Sequence, residues 1–117
     1  MNQRKVTYGL AVAAGLLGLT HLALTALLYA SWTADALWFV GTGFAIAVSA
    51  AANIAAINAL DRASRLIMVT VNAIMTGFFV AAWSVLPGPQ VIFGGILFAG
   101  LAVCAWRTPA PSISRSA

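Results

Sequence analysis

Four long apolar stretches, 6–30, 36–60, 66–86 and 89–106, dominate this chain, and every charged side chain lies in the breaks between them or at the two ends. About 20 consecutive apolar residues in a helix cross the hydrocarbon core of a bilayer, so each stretch is long enough to span, the last only just. The first follows Arg4 and Lys5, as the apolar part of a signal peptide would. It exceeds the roughly 7–15 residues of such a segment and is read as a retained first helix.

Composition closes off the soluble alternative. Only 7% of the 117 residues are charged and 62% are hydrophobic. A soluble domain covers itself with Lys, Glu, Arg and Asp, and this chain has too few of them. The net charge of +4 does not indicate nucleic acid, because the basic residues form no patch or stripe along one face. Cys104 is the only cysteine, which excludes an intrachain disulfide and a paired-cysteine redox or metal site.

The breaks are short: 31–35, 61–65 and the Pro87-Gly88-Pro89 stop. Short connections make consecutive helices antiparallel neighbours. The expected fold is an all-α, up-down-up-down bundle of four transmembrane helices over 1–107, followed by a disordered cytoplasmic tail over 108–117. Arg4 and Lys5, Arg62 and Arg65, and Arg107 and Arg115 then fall on one side, and the positive-inside rule makes that side cytoplasmic for both termini. Tyr29, Trp32, Trp38 and Trp83 are placed at the outer interface, with Tyr8 and Trp106 at the inner one. The location expected is the bacterial inner membrane.

No acidic residue lies within a span, so paired carboxylates for acid–base work are absent from the hydrocarbon region. Asp35 is expected to cap the second helix and Asp61 to sit in a solvated turn. His21 is the only titratable group deep in a span, roughly 20 Å from the inner end at the helical rise. Charge there is costly, so its imidazole is expected to be neutral and to face protein. Ala14, Gly18 and Thr25 share its face. Three readings of His21 stay open: a structural histidine bonded to a neighbouring helix, a ligand contact in an intrabundle pocket, and, more weakly, an axial ligand to a haem or chlorophyll-type pigment. A cofactor is not otherwise specified, and no metal site is expected.

Asn53 and Asn72 lie about seven residues either side of the second break, which puts both roughly 10 Å from the inner surface on adjacent helices. They are placed to hydrogen-bond one another. Ser49 and Thr76, one turn away on each helix, extend the polar stripe. The pair reads as helix glue or as the wall of a polar cavity for a ligand headgroup. Ala47, Ala51, Ala55 and Ala59 recur every four positions and suggest a close-packing ridge, within the bundle or between subunits. Leu16, Leu27, Phe78 and Phe79 are expected to face lipid.

The functional expectation is a small accessory or ligand- and lipid-binding subunit of a membrane complex rather than an enzyme. Its candidate binding residues are His21, Thr25, Thr42, Asn53 and Asn72. A bundle this narrow fills its own centre, so the runner-up, a transporter or channel, requires a homo-oligomer. An enzyme using His21 on a lipid-like substrate is the remaining alternative. Expected partners are membrane lipids and other membrane subunits or further copies, not nucleic acid.

Overall fold

The computed structural model describes residues 2–59 and 61–108. It is all-helical: α1 Gln3–Leu28, α2 Ala34–Ala56, α3 Arg62–Trp83 and α4 Pro89–Arg107. All four are long and apolar enough to cross a membrane. The proposed tail lies outside the described residues from 109 onward, and Thr108 is the C-cap of α4.

Helix starts are set by capping. The Asn2 side chain accepts from the Arg4 amide at 3.0 Å. For α2 the capping residue is Thr33, whose hydroxyl accepts from the Ala36 amide at 3.2 Å. Asp35, expected in that role, instead sits in the first turn, where its charge complements the positive end of the helix dipole. Asp61 is more than a residue of a solvated turn: it caps α3, accepting from the Ser64 amide at 2.8 Å. Pro89 occupies the first turn of α4, where its missing N–H costs nothing. Hydropathy placed the second helix to residue 60. It ends at Ala56, where the Ile57 amide bonds to the Ile54 carbonyl, three residues back, and the helix closes in a turn at Ile57 and Asn58.

The four helices pack unevenly. The α1–α2 and α3–α4 interfaces are extensive, α1–α4 is smaller and α2–α3 smaller still. Glycine lets α1 and α2 approach closely. A methyl group at Gly18 would lie 2.7 Å from the Ala47 amide nitrogen and 3.0 Å from the Gly43 carbonyl oxygen. Small residues bring backbones together in this way where lipid leaves no hydrophobic driving force between helices. The close-packed stripe of α2 is Gly43, Ile46, Ala50 and Asn53 rather than the alanine ridge. Of that ridge Ala47 meets α1, while Ala51 and Ala55 are exposed.

Between α3 and α4 the packing is aromatic. The Phe79 and Phe98 rings stack at 5.9 Å, and Gly94 gives up its side chain to make room for Phe79. Phe79, expected to face lipid, is therefore in the core, only 6% exposed, while Leu16, Leu27 and Phe78 are exposed. Leu97, Leu101 and Met75 complete the core with Ala11 and Ala14 of α1. The outer surface is strongly apolar: Leu27, Val48, Ile74 and Val80 are among many exposed large side chains. Lipid is the solvent that makes such a surface favourable.

Candidate functional site

Two polar features interrupt this apolar bundle, and they meet at Asn53. The first is an amide pair across the α2–α3 interface. Asn53 Nδ2 donates to Asn72 Oδ1 and Asn72 Nδ2 donates to Asn53 Oδ1, each at 2.8 Å. Both residues are buried, Asn72 completely. Asn53 Nδ2 also donates to the Ser49 carbonyl at 2.8 Å, and the Thr76 hydroxyl donates to the Asn72 carbonyl at 2.8 Å. Among the described residues no buried side-chain nitrogen or oxygen lacks a partner. Such satisfaction is what makes an amide tolerable in a medium without water.

The second feature is an open cleft of about 370 Å³ at the basic end of the bundle. Its polar wall comes from the first turns of α1 and α3: Gln3, Arg4 and Thr7 on one, Ser64 and Arg65 on the other. Its apolar wall includes Ala56, Ile57, Met68 and Ala105, and Asn53 lies at its inner limit. Two side chains brace it. Gln3 Nε2 donates to the Cys104 carbonyl at 2.7 Å and to the Thr108 hydroxyl at 3.2 Å. Arg65 Nη1 donates to the Thr108 carbonyl at 3.0 Å. Among the described residues no acidic side chain lines the cleft, the nearest along the chain being Asp61, bonded to the Ser64 amide, and Arg4 and Arg65 leave the lining positive. The N-terminal ends of α1 and α3 add the positive poles of their helix dipoles.

His21 belongs to neither feature. Its imidazole stacks on Phe39 of α2 with ring centroids 3.7 Å apart and planes 16° from parallel, and Tyr29 tilts against the same phenyl ring. The contact to the neighbouring helix is therefore aromatic, in place of the expected hydrogen bond. Thr25 is buried one turn further along α1, and its hydroxyl donates to the His21 carbonyl at 3.2 Å. Thr42 makes the same kind of bond on α2, to the Trp38 carbonyl at 2.9 Å. Both hydroxyls are used within their own helices. The structure thus unites Asn53 with Asn72, and His21 with Phe39, and does not join the two groups. Among the described residues no three His, Cys, Asp or Glu side chains gather where they could hold a metal ion.

Sequence reading missed the cleft. In the sequence its arginines read only as topology signals. The available clue was their level: Arg4 and Arg65 both stand in the first turns of helices that start at the same end, and Gln3 and Thr7 are spaced i, i+4 on one face. Comparison with protein-family models, with curated proteins and with solved structures finds no match. The functional reading therefore rests on geometry.

Proposed function

We propose that this protein is a multi-pass inner-membrane protein that acts by binding, as a small accessory subunit holding an amphipathic ligand in the cleft at its basic end. The observation that carries this reading is the cleft itself: about 370 Å³, open, polar and cationic on one wall and apolar on the other. Ligand clefts run from about 300 to 1,000 Å³ and combine an apolar lining with a few placed polar groups.

The reading includes an up-down-up-down bundle with both termini cytoplasmic. The contacts support it. Moving along α1 through Gly15, Gly18 and His21, the partners on α2 run backward through Ala50, Ala47 and Phe39. Gln3 touching Thr108 puts the start of α1 beside the end of α4. Arg4, Lys5, Arg62, Arg65 and Arg107 would then share one side, as the positive-inside rule requires. Trp32 and Trp38, both about three-quarters exposed, would sit in the opposite headgroup layer.

A homo-oligomeric transporter is the second reading. What favours it is the outward-facing pair Ala51 and Ala55 on α2, small enough to admit a second helix.

Native mass spectrometry after gentle extraction, with an absorbance spectrum of the same sample, tests both. Retained lipid-sized mass or co-extracted chains are the expected result. A bare homo-oligomer would overturn the binding reading and direct attention to flux assays. A visible absorbance band would instead make His21 an axial-ligand candidate.

A further inference from the structure

We infer that the cleft is a site for the phosphate of an anionic lipid headgroup, with Arg4 and Arg65 as the groups that grip it. This rests on the binding reading above and specifies its ligand.

The wall chemistry selects the ligand class. Among the described residues two guanidinium groups and no carboxylate line the opening. A guanidinium matches the geometry of phosphate oxygens through parallel N–H donors. Arg65 uses one donor on the Thr108 carbonyl, which fixes the head of the side chain, and among the described residues its remaining donors are open to a ligand. Asn53 offers no such donor. Both of its N–H groups are already committed, to Ser49 and to Asn72. It closes the inner limit of the cleft, and the anion is held at the mouth.

The positive lining also favours an anionic headgroup over a zwitterionic one, whose cation Arg4 and Arg65 would repel. The apolar wall of Ile57, Met68 and Ala105 gives the first carbons of an acyl chain a surface to follow. Basic pockets between helices at the cytoplasmic face are a recurrent means of holding anionic headgroups. Free phosphate shares the polar half of this chemistry and lacks the apolar half.

The test is lipid retention by the full-length protein in native mass spectrometry after loading with phosphatidylglycerol or phosphatidylcholine of the same chains. Phosphatidylglycerol is expected to be retained at least about tenfold better, the effect of one charge-assisted contact. Arg4→Gln and Arg65→Gln are each expected to erase most of that preference. Arg62→Gln and Arg107→Gln remove the same charge from the same end but do not line the cleft, and should leave it intact. If Arg65→Gln does not fold, Arg65→Lys, which keeps charge but not the fork, should show an intermediate preference.

Equal loss in all four Gln variants would overturn the inference in favour of diffuse surface charge. Retention without headgroup preference would overturn it while sparing the binding reading. No retained lipid of either kind would sink both. Displacement of phosphatidylglycerol by millimolar inorganic phosphate would show that the anion site takes free phosphate, and its failure would assign the site to lipid.

Discussion

Asn53 and Asn72 exchange hydrogen bonds in both directions across the sparse α2–α3 interface, at 2.8 Å each way. The pair supplies polar specificity where helix packing is thin. Interhelical hydrogen bonds in membranes average only about 0.6 kcal/mol. Removing one partner costs more, because the other amide is then left buried and unmatched.

Asn53→Ala and Asn72→Ala should each destabilise the protein by about 1–2 kcal/mol. The double variant should cost clearly less than the two single losses together, since the second removal relieves the orphaned amide. Reversible unfolding in mixed micelles measures the cycle. Strict additivity would show that the two amides act independently.

Gly18 and Gly41 should respond oppositely to alanine. At Gly18 the added methyl meets the backbone of α2, which cannot swing aside, so Gly18→Ala should cost about 1–3 kcal/mol. At Gly41 nothing lies within 4 Å of the added atom. Gly41→Ala should therefore be neutral or stabilising by up to about 1 kcal/mol through backbone entropy. Thermal midpoints in one detergent compare them directly, and equal responses would contradict the close approach at Gly18.

His21→Leu should fold and express near the wild-type level, because the Phe39 contact needs an apolar surface rather than a hydrogen bond. His21→Ala should lose about 0.5–1.5 kcal/mol of ring stacking as well as packed area. Collapse of expression in His21→Leu would point to a role for the imidazole nitrogens.

Asp61 gives a pH dependence with a definite sign. Hydrogen bonds from the Ser64 hydroxyl, and then from the Ser64 amide, hold its carboxyl below the ordinary 3.8. A carboxyl depressed in the folded state contributes stability above its unfolded pKa and loses it as pH falls through the folded value. Wild type should thus lose thermal stability relative to Asp61→Asn on acidification through the carboxylate range. Asn keeps the cap acceptor and does not titrate. Parallel pH curves for the two proteins would refute the assignment.

The four helices and the level of the amide pair were legible in the sequence for one reason: they depend on hydropathy and on distance along a helix. Counting seven residues from each side of the break was enough to bring Asn53 and Asn72 together. Facing was not legible in the same way. In a soluble helix an apolar stripe marks the core, but here both core and surround are apolar, so Phe78 and Phe79 read alike although Phe79 is buried and Phe78 is not. The alanine ridge failed for the same reason. The cleft was hidden because its walls come from the ends of several helices, a combination that no local pattern encodes.

The amide pair also makes the two halves of the chain interdependent during their making. Residues 34–56 leave the ribosome before 62–83 do, so Asn53 waits with its side-chain carbonyl oxygen and one N–H unmatched. The half-made protein is thereby chemically marked as unfinished, and the mark disappears only when Asn72 arrives. A gene split at position 60 would leave each fragment carrying half of that mark. The two halves, made together, should find one another through the α1–α4 and α2–α3 contacts and co-purify, and Asn53→Leu should weaken that association.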